Sequence, residues 1–210
     1  MNSLEGLMVV GLTGQTGAGK TTVCEFFKNK GFAVIDADKI ARDVTAKGSP
    51  CLAEIGECFK EKVITDDGEY DRTKMAQIVF SDKNKLEMLN SICYPYITAE
   101  ILERIRQCGD RGERLILLDA PTLFESRADD FCELIISVIA KEHNRLKRIM
   151  ERDNLTAEAA MNRINSQHDE NFFKKNSDFI IKNNKSEKVL KEVTEEVADR
   201  VKEYYQANFS

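Results

Sequence analysis

The segment GQTGAGKT at residues 14–21 constrains the fold of this chain more than any other stretch. It matches the pattern G-x-x-x-x-G-K-[ST], in which glycines let backbone N–H groups turn inward around phosphate oxygens. Residues 7–12 are apolar and predict a buried strand before this loop. Residues 22–30 follow with apolar side chains at helical spacing, and Gly31 is a typical helix stop. The sequence therefore predicts a strand, a phosphate-binding loop and a helix whose N-terminus faces the phosphates.

Polar side chains of the loop and of two later segments have the chemistry of a Mg²⁺-triphosphate site. Lys20 is expected to reach the β- and γ-phosphates, and the Thr21 hydroxyl to ligate Mg²⁺. A second predicted strand, at residues 32–35, is followed by Asp36 and Asp38, which point the same way if the chain stays extended. The alternative for this pair is a turn and a helix N-cap.

A third predicted strand, residues 115–119, ends in a carboxylate. Its position downstream of the loop indicates that Asp119 holds Mg²⁺ through water. Motor-type ATPases usually place a glutamate at the next position to activate water, whereas this chain has Ala120. The sequence therefore favours transfer of a phosphoryl group to a substrate over hydrolysis.

Length, charge and cysteine content exclude several classes of protein. With 210 residues and 42% hydrophobic residues, the chain is one large domain or one domain with insertions. The net charge of −5 and the lack of a long basic run argue against a nucleic-acid partner. Six scattered cysteines and two histidines predict reduced thiols and no zinc site. No run approaches the roughly 20 apolar residues of a membrane span, and no signal-peptide pattern occurs, so we expect no membrane partner and a cytoplasmic location.

About 60 residues between the second and third strands have mostly helical patterning. The sequence predicts helices at residues 39–48, from Ser49-Pro50 and around residues 75–79. Another helix is predicted from Asp82, with an interruption at Tyr94-Pro95. This stretch is far longer than a simple crossover, so we expect it to bind an acceptor substrate. A purely structural helical cap is the alternative.

Arginines are concentrated on a helix that follows a fourth predicted strand. Spacings of three and four place Arg145, Arg148 and Arg152 on one face, and a second helix carries Arg163 and Gln167. Two such helices indicate a lid that excludes water and brings guanidinium groups to the transferring phosphoryl group. A solvated amphipathic hairpin is the alternative.

A fifth strand, predicted at residues 177–183, ends in Asn183 at the edge where an adenine could be read. The last helix has a continuous stripe of valine and leucine side chains, which indicates core packing.

In combination and in order, these motifs resemble the dephospho-CoA kinase family. The motifs are GLTG at 11–14, DADKIAR at 36–42, GSP at 48–50, DR at 71–72, DAPTLFE at 119–125, the arginine helix, RI at 163–164 with Gln167, and DFIIKN at 178–183. The resemblance covers about residues 7–200. The Asp-Ala-Asp and Asp-x-Pro-x-Leu-Phe-Glu motifs together are much more specific than the phosphate-binding loop alone.

The resemblance implies an α/β fold of the P-loop NTPase type, similar to nucleoside monophosphate kinases. It implies three layers with a five-stranded parallel sheet, a helical CoA-binding insertion and a helical lid. We expect the core at about residues 7–48, 113–143 and 176–208, the insertion at 49–112 and the lid at 144–175. The implied reaction is phosphorylation of the ribose 3′-hydroxyl of dephospho-CoA by ATP with Mg²⁺, the last step of coenzyme A synthesis, in a monomer. A kinase for another nucleotide-like acceptor is the alternative.

The resemblance also assigns roles to individual residues. Asp38 matches the general base, and Lys20 and Arg148 complete the catalytic group. The expected ATP-binding residues are Gly14, Gly17, Ala18, Gly19, Lys20, Thr21, Thr22, Arg148, Arg152 and Asn183. The expected acceptor-binding residues are Asp36, Asp38, Arg42, Asp71, Arg72, Tyr94, Asp119, Pro121, Leu123, Phe124, Glu125, Arg163 and Gln167. Thr21 and Asp119 are expected to hold Mg²⁺, partly through water.

The chain departs from the family pattern at three positions. Family members commonly have His-Pro where this chain has Tyr94-Pro95. An imidazole can hydrogen-bond an acceptor through either nitrogen, whereas tyrosine offers one hydroxyl farther from the backbone. Thr122 replaces a usual leucine, and Lys185 stands where a glycine often follows the asparagine.

Overall fold

The computed structural model of the protein describes residues 6–209, without the side chain of Phe80. A five-stranded sheet has the strand order β2-β3-β1-β4-β5, and its strands run parallel, which confirms the predicted α/β fold. The strands are β1 Met8–Gly14, β2 Ala33–Asp36, β3 Leu115–Asp119, β4 Leu134–Ile139 and β5 Phe179–Lys182. The helices are α1 Lys20–Asn29, α2 Ala37–Val44, α3 Pro50–Cys58, α4 Arg72–Ser81, α5 Lys83–Asp110, α6 Glu142–Asp153, α7 Ala157–Asn165, α8 Glu170–Lys175 and α9 Glu187–Phe209, with a 3₁₀ turn at Ala128–Phe131.

The central strands are buried on both faces. All seven residues of β1 are buried, and β4 is buried at every position but one. Their core includes Val10, Leu12 and Ile136, packed with Phe27 of α1 and Val201 of α9. Parallel strands covered on both faces have continuous apolar runs, and this is why the sequence located them.

The chain forms two compact units. The first contains the described residues up to Ile35 together with the chain from Ile105 onwards, and the second is Asp36–Arg104. The second unit has its own core, which includes Ile55, Met75 and Ile92. The assignment of residues 49–112 to acceptor binding stays a prediction.

Side-chain caps begin helices α3 and α7, the first of them at the predicted Ser49-Pro50 start. The Ser49 hydroxyl accepts from the Leu52 N–H at 3.2 Å, and Pro50 occupies the first turn of α3. The Thr156 hydroxyl accepts from the Ala159 N–H at 3.2 Å at the start of α7. None of the helices found in residues 6–209 has the length and apolar character that a bilayer crossing requires.

The predicted interruption at Tyr94-Pro95 is wrong, because α5 runs through Pro95 without a break. A proline inside a helix removes one N–H donor, but most helical stability in proteins comes from packing of an apolar face. Helix α5 buries Ile92 before the proline and Ile101 after it. Burial on both sides of Pro95 offsets the missing hydrogen bond.

Gly14 ends β1 in a conformation that excludes a side chain. Its φ is +144°, and a Cβ there would lie 2.2 Å from the Val138 carbonyl oxygen. We expect Gly14→Ala to lower the free energy of unfolding by roughly 3 kcal/mol, through backbone strain and a clash that β4 cannot relieve. Urea denaturation measures this loss.

Gly31→Ala is the matched control for Gly14→Ala. Gly31 also has a positive φ, +89°, but no atom lies within 4 Å of a Cβ built there. We expect this variant to lose only about 1 kcal/mol from backbone strain. Equal losses in the two variants would show that the contact with Val138 has no energetic consequence.

Candidate active site

The loop between β1 and α1 turns two carbonyl groups toward α6 and the end of β5. The Gly17 oxygen accepts from Arg148 Nη1 at 3.3 Å, and the Ala18 oxygen accepts from Asn183 Nδ2 at 2.8 Å. The C=O and N–H of one trans peptide unit point in opposite directions, so the Gly19 N–H points away from Asn183. Within residues 6–209, the structure records no backbone acceptor for the N–H groups of Gly17 and Gly19. The loop therefore has N–H groups that are available to phosphate oxygens.

Two glycines of the loop are required by packing as well as by phosphate binding. A Cβ on Gly17 would lie 2.8 Å from the Arg145 carbonyl oxygen, and a Cβ on Gly19 would lie 2.3 Å from Asn183 Nδ2. Both glycines have positive φ, +72° and +94°. Helix α6 and the end of β5 therefore pack directly on the loop.

Lys20 and Asp119 come together, although 98 residues separate them in the chain. Lys20 Nζ donates to Asp119 Oδ1, and the two side chains are only 17% and 16% exposed. The pair lies where α1 begins and β3 ends. The structure therefore joins the predicted phosphate-binding lysine to the predicted Mg²⁺ carboxylate.

Asp119 and Thr21 are oxygen donors of the kind that Mg²⁺ prefers. No group of three or more His, Cys, Asp or Glu side chains in residues 6–209 could hold a metal ion. This donor set fits a Mg²⁺ held mainly by phosphate oxygens and water, which is the usual arrangement beside a bound triphosphate.

Burial raises the pKa of the neighbouring Cys24 thiol to about 12, and the Asp119 carboxylate adds to that shift. The thiol therefore stays protonated and unreactive at neutral pH.

A cavity of about 220 Å³ lies beside the loop, on the side of Arg148 and Asn183. Its lining is Gly19, Thr22, Arg148, Asn183, Lys185, Glu187 and Leu190. Asn183 is 7% exposed, and its amide contacts both the Ala18 oxygen and, at 3.4 Å, Arg148 Nη2. Its side chain thus positions the loop and Arg148, while reading of an adenine by Asn183 stays a prediction.

The three arginines of α6 lie on one face but have separate environments. Arg148 contacts the loop carbonyls, whereas the Arg145 side chain is buried. Arg152 forms two 2.8 Å hydrogen bonds with Asp153, which also accepts from Arg163. The hydrogen bonds from Arg152 hold the pKa of the Asp153 carboxyl below its usual value. The convergence of all three arginines on a phosphoryl group stays a prediction.

The segment after α7 contacts the loop and the segment after β3. Gln167 Oε1 accepts from the Thr16 N–H at 2.6 Å. The His168 ring stacks on Phe172 with centroids 3.6 Å apart, and Phe124 contacts the same phenylalanine edge-to-face at 5.2 Å. Phe124, a predicted site residue, therefore belongs to an aromatic group with His168 and Phe172. Gln167, also a predicted site residue, contacts the loop from the position next to His168.

Sequence reasoning missed His168 and Phe172 as members of this group. Their spacing of four residues is helical, but the sequence has no signal for their partner Phe124, which lies more than 40 residues earlier. His168 Nε2 also lies 3.6 Å from Glu125 Oε1, so a second residue of the predicted DAPTLFE motif is in contact.

Two further residues of that motif hold the segment in place. The Pro121 carbonyl oxygen accepts from the Thr13 hydroxyl at 3.2 Å. Leu123 is fully buried, and a Cβ on Gly11 would approach its side chain to 2.8 Å. These contacts fix the backbone that carries Phe124 and Glu125.

The second unit carries the predicted base and six of the thirteen predicted acceptor-binding residues. Asp36 Oδ1 accepts from the Lys39 N–H at 2.9 Å and caps α2, which confirms the capping alternative. The condition under which Asp36 and Asp38 would point the same way, an extended chain, is not met, because the helix begins at Ala37. Asp38 therefore lies in the first turn of α2, where its carboxylate is favoured by the helix dipole.

Arg72 connects the start of α4 to the end of α2 in this unit. Its Nη2 donates to the Arg42 carbonyl oxygen at 3.2 Å and to the Thr45 hydroxyl at 2.7 Å. Asp71 caps α4 by accepting from the Lys74 N–H at 2.9 Å. Tyr94 lies within α5. The roles of Asp36, Asp38, Arg42, Asp71, Arg72 and Tyr94 toward an acceptor stay predictions.

Comparisons with known proteins identify the family. The family model described as dephospho-CoA kinase matches residues 8–188. A dephospho-CoA kinase of Listeria innocua is 40% identical over 185 residues, which are 88% of this chain and 92% of the relative. The chain belongs to the dephospho-CoA kinase family. The resemblance inferred from the motifs is therefore confirmed.

Solved structures agree with membership of this family. A dephospho-CoA kinase from Campylobacter jejuni is 27% identical, with a TM-score of 0.61, over 93% of this chain and 98% of that one. A crystal structure from Thermus thermophilus is 26% identical, with a TM-score of 0.81, over 92% and 97%. The loop, Lys20, Asp119, Arg148 and Gln167 all lie within the segment that the family model matches.

Proposed function

We propose that this protein phosphorylates the ribose 3′-hydroxyl of dephospho-CoA with ATP, which is the final step of coenzyme A synthesis. The observation that carries the proposal is the family match over residues 8–188, which includes both the phosphate-binding loop and the Asp-Ala-Asp segment. The contact between Lys20 and Asp119 supports a triphosphate site of the kind that the reaction needs.

The donor half of the reaction depends on the first unit. Free N–H groups of the loop and of the first turn of α1 bind the phosphates, and Lys20 reaches the β- and γ-phosphates. Mg²⁺, when bound, neutralises charge on the phosphates, and the Thr21 hydroxyl and Asp119 would hold it. Lys20 must then exchange its hydrogen bond to Asp119 for one to phosphate. Both side chains are mostly buried, so the new hydrogen bond to phosphate must offset the loss of this ion pair.

The acceptor half depends on the second unit. Asp38 orients the 3′-hydroxyl and accepts its proton as the oxygen attacks the γ-phosphoryl group. The cap that Asp36 provides fixes the first turn of α2 and hence the position of Asp38. Arg42, Asp71, Arg72 and Tyr94 bind the acceptor. Charge that spreads over the transferring phosphoryl group is stabilised by Lys20 and Arg148.

A kinase for another nucleotide-like acceptor is the alternative, which the family match and the relatives named dephospho-CoA kinase do not favour. The departure at Tyr94 bears on how the acceptor is held. This residue stands where family members commonly have histidine, so the contacts offered to the acceptor differ. The choice between the two candidates depends on which acceptor supports turnover.

A coupled assay of ADP release tests the proposal. We expect release to rise at least tenfold when dephospho-CoA is added, and to remain near the acceptor-free rate with AMP or CMP. Phosphorus NMR of the product should show a new monoester at the 3′ position. Turnover with a nucleoside monophosphate that equals turnover with dephospho-CoA would favour the alternative.

Arg148→Ala is expected to lower kcat by about 10- to 100-fold and to weaken ATP binding by much less. The guanidinium fixes the Gly17 and Ala18 carbonyls, and small displacements of a phosphate site have large effects on rate. Steady-state kinetics and ATP titration measure the two effects. Lys147→Ala removes an exposed neighbouring cation and is expected to leave both unchanged. Loss of ATP affinity alone in Arg148→Ala would contradict the proposed role.

A monomeric state and a cytoplasmic location are also part of the proposal. Both are predictions from the sequence. Light scattering during gel filtration measures the first, and fractionation of the source cells measures the second.

A further inference from the structure

Arg145, in the first half of α6, is a buried cation that the proposed reaction does not use. Arg145 is only 7% exposed. Within residues 6–209, its Nε and Nη1 atoms have no hydrogen-bond partner. Unpaired buried polar groups are rare, and each costs about 1–3 kcal/mol, more when it is charged. A buried guanidinium in this state indicates a missing partner.

A cavity of about 370 Å³ opens beside Arg145. Besides Arg145, its lining includes Gln15, Ala140, Glu142, Gln167 and His168. Gln15 belongs to the phosphate-binding loop, and Gln167 contacts that loop through the Thr16 N–H. The cavity is distinct from the 220 Å³ cavity beside Asn183, with which it shares no lining residue.

Two glutamine amides can offer NH₂ donors to this cavity, because each amide oxygen already accepts a backbone N–H. Gln15 Oε1 accepts from the Ala140 N–H at 3.3 Å, and Gln167 Oε1 accepts from the Thr16 N–H at 2.6 Å. The remaining polar group of each amide is therefore its NH₂ group. Helix α6 also begins at this cavity, so its N-terminal dipole adds positive potential.

The carboxylates that line the cavity do not neutralise Arg145. Asp169 Oδ1 accepts from the Phe172 N–H at 2.8 Å as the cap of α8, and Glu170 pairs with Lys174 at 2.6 Å. Glu142 is exposed to solvent. Burial lowers the pKa of Arg145, and the charges of Glu142 and Glu170 offset that shift only in part. The cation therefore lacks a hydrogen-bonded anion from the described chain.

We propose that this cavity is an anion subsite in which Arg145 holds a phosphate or diphosphate group. The planar guanidinium presents two N–H groups that match two phosphate oxygens, and the glutamine NH₂ groups complete the set of donors. A neutral water would satisfy the hydrogen bonds but would leave the buried charge uncompensated. The anion is either a phosphate group of a bound substrate or a free phosphate or pyrophosphate ion.

Pyrophosphate titration of the ADP-loaded full-length protein tests the subsite. ADP fills the phosphate-binding loop, so binding at Arg145 is measured separately and without turnover. We expect the wild-type protein to bind pyrophosphate and Arg145→Met, a variant of similar length, to bind it at least about tenfold more weakly. Arg145→Lys should retain part of the affinity because it keeps the charge. No binding by the wild-type protein, or equal binding by Arg145→Met, would overturn the proposal.

Two further measurements distinguish an anion subsite from a structural arginine. In anion-free buffer, Arg145→Met should be at least as stable to heat as the wild type, because it removes an unpaired buried charge. A strong loss of stability would indicate a purely structural role. Gln167→Glu keeps an oxygen for the Thr16 N–H but adds a carboxylate to the cavity, so it should also weaken pyrophosphate binding. Unchanged affinity in this variant would place the anion elsewhere.

Kinetics identify the source of the anion. If it is a substrate phosphate, Arg145→Met should raise the KM of dephospho-CoA several-fold while the KM of ATP stays unchanged. If it is a free ion, both KM values should stay unchanged and only pyrophosphate binding should be lost. This comparison rests on the proposed kinase function, whereas the pyrophosphate titration does not, so failure of one is distinguishable from failure of the other.

Discussion

Lys20→Ala is expected to lower kcat by about 10²–10³-fold while the protein keeps its fold. The ammonium group of Lys20 is the one cation that the phosphate-binding motif itself supplies to the β- and γ-phosphates. Loss of a preorganised donor to charge that develops in the transition state has effects of this size. Rates of ADP formation at saturating ATP and dephospho-CoA measure the change.

The fold should survive because the Asp119 carboxylate keeps some contact with solvent after the lysine is removed. The two side chains are 17% and 16% exposed, so loss of the ion pair costs about 1–3 kcal/mol, between the values for an exposed and a buried pair. Circular dichroism and thermal melting check this expectation. Lys28→Ala removes an exposed lysine from the last turn of the same helix and should leave kcat unchanged. A rate for Lys20→Ala within a few-fold of the wild type would remove this lysine from the proposed mechanism.

Asp38→Asn is expected to lower kcat by about 10²–10⁴-fold, the range typical of general acid–base catalysis. Asparagine has nearly the same shape but cannot accept the proton of the 3′-hydroxyl. Asp38 lies in the first turn of α2, where loss of a negative charge costs only about 0.3–1 kcal/mol of stability. Single-turnover measurements with preformed ATP complex isolate the chemical step.

Asp36→Asn is the matched control, two residues away. Asp36 caps α2 through Oδ1, and asparagine caps helices as well as aspartate does. We expect this variant to keep the position of Asp38 and to lower kcat by less than about tenfold. Equal losses in the two variants, or a near-normal rate for Asp38→Asn, would exclude Asp38 as the specific base.

The sequence determined the framework of the donor half. The central strands β1, β3 and β4 were located because parallel strands covered on both faces are continuous apolar runs. The edge strands β2 and β5 were located from shorter apolar runs. The phosphate-binding loop was recognisable because its glycines and Lys20 have fixed spacing, which local backbone geometry requires. Asp119 was predicted to hold Mg²⁺ because a carboxylate at the end of such a strand lies at the edge of the sheet where ligands bind, and this role stays a prediction. The motifs also gave the family, which the comparisons confirmed.

The structure decided two local features that the sequence alone did not, the continuity of α5 at Pro95 and the conformation of the chain at Asp36. Local preference placed a helix break at Pro95, but burial of Ile92 and Ile101 kept α5 continuous. The Asp36 and Asp38 pair fitted either an extended chain or a cap, and the hydrogen bond to the Lys39 N–H decided for the cap. The continuity of α5 depends on packing of an apolar face, which a local pattern around the proline does not encode. The cap of Asp36 is a local bond that the sequence had offered as one of two alternatives.

The sequence by itself determined the elements whose signals are local: the strands, the loop with Lys20, and the arginine-bearing helix. Only the tertiary structure decided which of those arginines is buried in a cavity and which contacts the loop, because spacing gives Arg145 and Arg148 the same face. The bond from the Thr16 N–H to Gln167 joins residues 151 positions apart. Such contacts depend on how segments distant in the chain pack, and periodicity carries no information about that.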